Sequence, residues 1–445
     1  MARATRPSYL AIAATICTLL THGALSKTTG DPIQVQPPAG QGDGLAYDTT
    51  IAGLDAFASN LTAGIEFAQA AGGGWYDPKL CSGGYCVYGN RQAANGRGVA
   101  VVTTGTNMQR IKRMEPIMGR RENNGPTAAG DPGFEERDVP GRGVVLVANR
   151  TLRRGDTLMA WTPVLFVHKS LYKDLSEDEQ GRLLAAAVHL LPDATRDRFK
   201  RMMLTANAGG GKRDLREVVK RLSFETNMAY RFAPSDMDNE KHYVTYPEVV
   251  SLAHDCRGNV AYYIDGAHTH HSTVARKVAP GEELTMSYVD PFMPRAQRQE
   301  WVDKWKKTGC SCAHCTAGGD LGALARSDER LAEIQSIEAV LKEPDSKGVT
   351  TDMLARLVEL YKEERLEPRM SDMYELVAIN YNNLGYAKRA TKYALLAAQA
   401  GAVERGADAN DIVAMRILAK DPEGHYSWRT RVPKSKGKGN KVAGK

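Results

Sequence analysis

The chain has 445 residues, of which 42% are hydrophobic and 25% charged, and its formal net charge is +7. This is the composition of a soluble globular protein with two or three domains and a buried core. Five lysines and no acid occur in residues 434–445. We therefore predict a solvated, disordered basic tail at 426–445 and expect no direct contact with nucleic acid.

The N-terminal residues 1–26 have the pattern of a secretory signal peptide. Basic residues precede an apolar run at 9–20, and small residues follow near Ala24 and Ser26. The run is shorter than the ~20 residues that a membrane-spanning helix needs. We expect a protein of the secretory pathway or the extracellular space with no membrane span after signal removal. A signal-anchored membrane protein is the alternative.

Residues 27–46 are rich in Gly, Pro and Gln, which predicts a flexible linker. An N-terminal Gly-rich segment follows at 47–140. It starts with apolar residues at helical spacing over 54–75, ending in three glycines. Next, Cys81 and Cys86 flank a glycine turn, and two alternatives remain open for them: a short-loop disulfide or two buried thiols.

Strand and helix patterns alternate from residue 141 onward. Residues 143–168 read as a hairpin around an Arg-Arg-Gly-Asp turn, and 271–290 as a second hairpin around Pro280 and Gly281. Between them, 175–191 and 215–232 carry apolar stripes of helices, divided by a glycine-rich loop.

Beyond Cys315 the chain is predicted to be helical. Leu384 and Gly385, followed by Ala390 and Tyr393, are typical of one helical hairpin of a tetratricopeptide-type array. No strict 34-residue period is present, so a plain helical bundle remains the alternative.

Three cysteines, Cys310, Cys312 and Cys315, lie close enough in sequence to face one Zn²⁺ ion. Zinc takes four tetrahedral ligands, so the fourth comes from His314 or from elsewhere, with Cys256 as the candidate. A disulfide within this group is the alternative. We favour zinc because cysteines separated by one residue pair poorly and a trio leaves one sulfur over.

Three histidines, His268, His270 and His271, suggest a second metal site. Alternation along a strand would put them on different faces, and no carboxylate or thiol pattern accompanies them. We therefore expect exposed hairpin residues.

Five motifs occur in a characteristic order: Gly-Arg-Gly at 141–143, ETN at 225–227, YPEVVSLAHDCRGN at 246–259, GEELTMSY at 281–288 and CSCAHC at 310–315. In this order they resemble the SET-domain protein lysine methyltransferases. The resemblance is closest to the branch with a CxCxxC post-SET zinc site and C-terminal tetratricopeptide-like helices. Residues 171–240 contain no cysteine, so the MYND zinc module of related proteins is absent.

The resemblance implies an α+β fold. It consists of a mainly-β SET domain at 141–292 with a helical insert at 171–240, a post-SET zinc-binding region at 293–320, and an α-helical tetratricopeptide-like domain at 321–425.

The resemblance also assigns roles to individual residues. Tyr288 matches the catalytic tyrosine, and Cys256 matches the cysteine that completes the zinc site with the CxCxxC trio. The positions that contact S-adenosylmethionine fall on Arg142, Gly143, Asn227, Ala253 and His254. At Ala253 the family has an asparagine.

These matches lead to two functional hypotheses. The first is methyl transfer from S-adenosylmethionine to a lysine of a protein or peptide, with one structural Zn²⁺ and a possible protein partner on the C-terminal helices. The second is a catalytically silent SET-fold protein of the secretory pathway that binds a peptide or protein partner.

Overall fold

The computed structural model describes residues 74–76, 80–113, 124–127, 131–207, 214–227, 241–306, 309–344, 346 and 348–432. The predicted signal peptide, the linker, nearly all of the predicted helix at 54–75 and most of the basic tail lie outside these residues. The chain divides into two compact units. The larger unit contains the described part of 27–328 and Val403–Arg405, and the smaller unit contains the described part of 329–402 and 406–445.

Strands of the larger unit form four sheets. The strands are β1 Cys81–Ser82, β2 Tyr85–Asn90, β3 Val99–Thr104, β4 Gly125–Pro126, β5 Phe134–Val139, β6 Gly143–Ala148, β7 Thr157–Trp161, β8 Leu165–His168, β9 Phe224–Asn227, β10 Lys241–Thr245, β11 Ala253–His254, β12 Val260–Ile264, β13 His270–Val274 and β14 Thr285–Met286. Their orders are β1-β2-β3-β8-β10-β9, β12-β13-β7-β4, β5-β6 and β11-β14.

Helices connect the strands and make up most of the smaller unit. The α-helices are Ala93–Gly96, Gly105–Ile111, Leu171–Asp174, Glu177–Leu190, Asp193–Asn207, Leu215–Leu222, Arg295–Lys306, Ala313–Thr316, Leu321–Lys342, Thr351–Glu363, Met370–Asn383, Ala387–Glu404 and Asn410–Lys420. Short 3-10 turns lie at Pro247–Ser251, Ala317–Gly319 and Glu367–Arg369. In the described part of the chain, no helix is both long and apolar enough to cross a membrane.

The six-stranded sheet is buried on both faces. Because successive side chains of a strand point to opposite faces, Val99 and Val101 of β3 pack into one core while Ala100 and Val102 pack into another. The second core is covered by helices of the predicted insert region. The first core contains Tyr288.

In the described part of the insert region, helices lie between residues 171 and 222. Ser176 and Glu179 form a reciprocal capping box that starts the helix Glu177–Leu190. The Asp214 side chain caps the helix Leu215–Leu222. The helical prediction for 215–232 is wrong at Phe224–Asn227, which is a strand that pairs with β10, and its last residues, 228–232, lie outside the described residues.

Both predicted hairpins are wrong in their pairing. Strand β6 pairs with β5 and β7 pairs with β13, so the two strands around the Arg-Arg-Gly-Asp turn belong to different sheets. After Gly281 the chain runs beside β6, as the hydrogen bond from Leu284 N–H to the Leu146 carbonyl shows (2.8 Å). The strands that flank each turn therefore pair with other strands and not with each other.

The Cys81 and Cys86 side chains form a disulfide between β1 and β2, which confirms one of the two predicted alternatives. The turn between them uses Gly83 and Gly84, whose φ angles are 54° and 86°. Such positive values favour glycine over residues with a Cβ atom.

The smaller unit contains the predicted helical hairpin. The helix Met370–Asn383 is terminated by Gly385, whose φ angle is 83°. Beyond it, the Tyr386 N–H donates to the Tyr381 carbonyl (2.9 Å). Across the hairpin, the rings of Tyr381 and Tyr393 stack at 5.4 Å. The assignment to a tetratricopeptide-type array stays a prediction.

Candidate active site and zinc centre

The candidate site is built where two segments of the chain cross. The strand β11 pairs in parallel with β14, which joins the histidine–cysteine segment to the segment that precedes Tyr288. Gly258 lies at the crossing, where a Cβ atom would come within 2.7 Å of the Met286 Cα. A larger residue at 258 would therefore force the two backbones apart.

The buried side chain of Asn259 connects the two crossing segments by hydrogen bonds. The side chain is 1% exposed, and its amide donates to the Glu283 carbonyl (2.9 Å). Its oxygen accepts the backbone N–H of Thr285 (2.9 Å). Because a buried amide without these partners would pay a desolvation cost, Asn259 favours this one arrangement of the two segments.

The four predicted zinc ligands lie together. The sulfur atoms of Cys256, Cys310, Cys312 and Cys315 are all within 4.8 Å of one another. Cys256 Sγ is 3.8 Å from Cys310 Sγ and 3.5 Å from Cys315 Sγ. Among the cysteines that the structure describes, these four are not disulfide-bonded.

His314 is not part of this cluster. Its Nε2 atom lies 3.3 Å from Ser327 Oγ, so the histidine alternative for the fourth ligand is not supported.

Two neighbours of Cys256 shape the turn that carries it. The Asp255 carboxylate accepts the backbone N–H of Arg257 (2.8 Å). The buried Arg257 guanidinium donates to the carbonyls of Cys256 (2.9 Å) and Pro291 (3.1 Å). Sequence reasoning assigned no role to these residues, and the structure makes them supports of the metal-ligating turn.

A buried arginine lies against the sulfur cluster. Arg298 is fully buried; burial alone would lower the pKa of its guanidinium, but the charges of Cys256 and Cys315 raise it. Hydrogen bonds among the four thiols lower the pKa of Cys312 and Cys315 and raise that of Cys256 and Cys310, so two of the four sulfurs are the more readily ionised. A fixed cation beside partly ionised thiols is the electrostatic setting of an anionic thiolate site.

The donor set fits a structural zinc ion. Four sulfur ligands around one point match the closed tetrahedral Cys₄ sites that zinc prefers, with no open position for a water molecule or a substrate. Cys256, Cys310, Cys312 and Cys315 would hold the ion and so connect the crossing to the segment after residue 309.

Tyr288 lies at the end of the crossing. The side chain is 7% exposed, and its hydroxyl donates to the Leu252 carbonyl at 2.6 Å, with the Val250 carbonyl 3.5 Å away. Burial raises the pKa of the Tyr288 phenol well above its usual range. The phenol therefore stays neutral. Its oxygen and the carbonyl oxygens of Leu252 and Val250 lie close together.

His254 connects Tyr288 to the sulfur cluster. Its Nδ1 accepts the backbone N–H of Tyr288 (3.0 Å), which places the ring proton on Nε2. Nε2 lies 3.5 Å from Cys256 Sγ, so this N–H points at the sulfur. Both nitrogens serve internal contacts, and the expected contact between His254 and the cofactor remains a prediction.

The Gly-Arg-Gly loop at 141–143 packs against a helix of the insert. Gly143 has φ 77°, and a Cβ atom there would come within 2.9 Å of the Thr205 Cα. The packing of the helix Asp193–Asn207 therefore explains this glycine in the structure. The neighbouring Arg142 forms an ion pair with Glu283 at the surface.

The remaining expected cofactor contacts lie in strands. Ala253 is half-buried in β11 opposite Thr285, and Asn227 ends β9 opposite Lys241. Their roles as cofactor contacts stay predictions.

The prediction of exposed histidines is wrong for His270. This ring is fully buried among Phe224, Tyr246 and Tyr262, because its strand is central to the four-stranded sheet. Its Nε2 atom is buried without a hydrogen-bond partner. His271 is partly exposed and pairs with Asp265 at 3.0 Å.

A cleft adjoins the carbonyl oxygens at Tyr288. The segment Pro247–Ser251 forms one wall, the helix Asp193–Asn207 a second, and Glu136 and Val144 a third. It encloses about 310 Å³, including space open to solvent. Arg198 and Arg201 face into it; in the sequence they read only as ordinary helix charges.

Comparison with known protein families gives one match, within the larger unit. Residues 143–289 match the family model of the SET domain. The match includes Cys256 and Tyr288 and ends before the CxCxxC trio. No protein in the curated collections matches the chain significantly. The predicted fold class, a SET domain with a C-terminal helical region, is confirmed.

Proposed function

From the premise that the chain carries a SET domain at residues 143–289, we propose that it transfers a methyl group from S-adenosylmethionine to a lysine amine of a protein or peptide. SET domains are generally methyltransferases. The observation that carries the proposal is the convergence of the Tyr288 hydroxyl with the carbonyls of Leu252 and Val250.

S-adenosylmethionine, when bound, supplies a methyl group activated by a positive sulfur. The residues of the chain then need only align a neutral amine behind that methyl group. Tyr288 stays protonated and donates to Leu252, so its oxygen keeps lone pairs for a polarised methyl or an amine N–H. The two carbonyls add partial negative charge at the same point.

The lysine must arrive deprotonated, although its usual pKa is ~10.4. Burial disfavours the charged form of an amine and therefore lowers its pKa. The surroundings of Tyr288, in the main core, suit this requirement. The proposed mechanism assigns no general base to the chain.

We assign the Cys₄ cluster a structural role. A zinc ion there would hold Cys256, and through the His254 contacts it would support the backbone of Tyr288. This is the role that the resemblance to proteins with a post-SET zinc site implies.

A catalytically silent SET module that binds a peptide or protein is the second candidate. It is favoured by Ala253, whose methyl group offers no hydrogen bond where the family has an amide.

The compartment and partners are also proposals. The N-terminal pattern supports entry into the secretory pathway, and the Cys81–Cys86 disulfide suits an oxidising compartment. We also propose that the C-terminal helices bind a protein partner.

Mass spectrometry of lysine-containing peptides, incubated with the zinc-loaded protein and S-adenosylmethionine, tests the reaction. We expect a methyl adduct on lysine that Tyr288→Phe abolishes. If donor binds but no peptide in a broad library gains a methyl group, the silent module is favoured.

A further inference from the structure

The cleft beside Tyr288 is charged on one side. The helix Asp193–Asn207 contributes Arg198 and Arg201, and β5 contributes Glu136. Arg198 Nη1 lies 3.2 Å from one oxygen of this carboxylate, and Arg201 Nη1 lies 3.1 Å from the other. One carboxylate thus faces two guanidinium groups, which leaves a net charge of about +1 on this wall.

The deeper charges of the cleft cancel. Arg97 and Glu248 form a two-pronged ion pair with contacts of 2.7 and 2.6 Å, and their side chains are 8% and 4% exposed. Such a pair satisfies both groups and leaves no charge for a ligand. Any anion in the cleft would therefore be attracted by Arg198 and Arg201.

The two arginines have donors to spare. A guanidinium carries five N–H donors in a planar fork that matches a carboxylate. In the described structure, Arg198 and Arg201 each use one nitrogen on Glu136. Both side chains are partly exposed, at 39% and 50%, so a ligand can reach them.

The charged side chains share their cleft with a residue that also lies near Tyr288. Val250 and Ser251 line the cleft, and the Val250 carbonyl is one of the three oxygens gathered at Tyr288. Val144, on the facing wall, directly follows the glycine loop. A molecule with its reactive group near Tyr288 can therefore extend along this wall.

We propose that Arg198 and Arg201 bind the carboxylate of the methyl donor's amino-acid end, with Glu136 receiving its ammonium group. This inference rests on the proposed function and adds to it a pair of binding residues from the insert. A zwitterion suits the wall because the wall offers both signs of charge, with cations in excess.

The assignment also accounts for Ala253. A methyl side chain cannot hydrogen-bond a donor molecule, so the polar contacts must come from another element of the fold. The insert helix supplies two strong donors to the cleft that Val250 and Ser251 line.

The test compares two ligands by calorimetry on the zinc-loaded full chain: S-adenosylmethionine and its decarboxylated analogue, which lacks only the carboxylate. We expect the wild type to bind S-adenosylmethionine about 10–100-fold more tightly, the range of a charge-assisted pair. In the double variant Arg198→Ala/Arg201→Ala this preference should fall to near unity, while affinity for the analogue changes little.

Arg196→Ala is the matched control. Arg196 lies on the same helix and pairs with Asp193 (2.7 Å), and it does not line the cleft. It should leave the preference intact.

The outcomes separate this inference from the proposed function. Equal binding of both ligands by the wild type overturns the carboxylate assignment and leaves methyl-donor binding standing. A preference that survives in the double variant also overturns it. Binding of neither ligand contradicts the proposed function itself, and with it the inference.

Discussion

The stretch 247–259 contributes both to the four-cysteine cluster and to the cleft beside Tyr288, but in different ways. Toward the cluster it supplies Cys256, held by Asp255 and Arg257 and joined by three sulfurs from one short motif. Toward the cleft it supplies Pro247–Ser251, whereas the two arginines come from the insert helix. The sequence motifs supply all four sulfurs of the cluster, whereas the two arginines of the cleft lie on a helix outside the motifs.

This difference predicts separate sensitivities. Damage to the cluster should affect the fold, because the metal connects segments far apart in sequence. Damage to the cleft should affect binding and transfer without loss of the fold.

The largest effect is expected for Cys256→Ser. Bound zinc should fall from one ion per chain to nearly none, and thermal unfolding should move down by about 10 °C or more, since several kcal/mol of stability are lost. Metal analysis and calorimetry measure both quantities. His314→Ala, adjacent to the trio but outside the cluster, should keep the metal. Full zinc content in Cys256→Ser would refute the four-thiolate site.

The next effect concerns Tyr288→Phe. Loss of the hydroxyl that contacts Leu252 should lower kcat by about 10²–10³-fold, as for loss of one aligned polar group, with little change in zinc content or donor affinity. Steady-state kinetics with a methylated peptide as product measures this.

Tyr246→Phe is the control for that variant. The Tyr246 hydroxyl is also buried and donates to a carbonyl, that of His268 (2.7 Å). A loss of rate equal to that of Tyr288→Phe would mean that the effect comes from core disruption.

Acid should weaken the fold independently of the metal. Burial lowers the pKa of His270 and of His242 to about 3, so the folded state keeps both neutral while the unfolded state takes up protons below pH 6.5. The free energy of unfolding should therefore fall as pH drops from 6.5 toward 3, by ~1.4 kcal/mol per pH unit for each histidine.

His270→Phe should remove one histidine's share of this slope, because the ring lies among aromatic residues with its Nε2 unpaired. Urea unfolding at pH 7.5 and 5.5 measures the change, with Tyr262→Phe as a control that keeps the slope. An unaltered slope in His270→Phe would exclude His270 as a source of acid sensitivity.

The smallest effect is expected for Ala253→Asn. A polar side chain at this half-buried position should tighten S-adenosylmethionine binding several-fold, by adding one hydrogen bond of about 1 kcal/mol. Calorimetry measures it. No change in affinity would mean that residue 253 does not face the donor.

Local motifs predicted much of the candidate site, and tertiary pairing decided the rest. The CxCxxC spacing together with Cys256 predicted the cluster because sulfur ligands carry a strong local signal. The hairpins failed because turn residues specify a reversal but not a partner. Strand β6 pairs with the preceding strand β5, whereas β7 and β14 pair with strands farther away in sequence.

Charged and buried polar residues were the hardest to predict. Arg198 and Arg201 lie on a basic helix whose charges look solvated, and only the position of Pro247–Ser251 opposite them makes a cleft. Likewise, His270 was predicted to be exposed because alternation along a strand separates the three histidines and no metal-ligand pattern accompanies them, whereas the neighbouring strands bury it. Arg298 could not be related to the cysteines until the fold placed it there.

The most direct test of the account is calorimetric titration of the zinc-loaded wild-type protein with S-adenosylmethionine. We predict saturable binding at one site per chain. No heat of binding up to millimolar ligand would contradict the methyltransferase proposal and leave a zinc-stabilised SET module with another role.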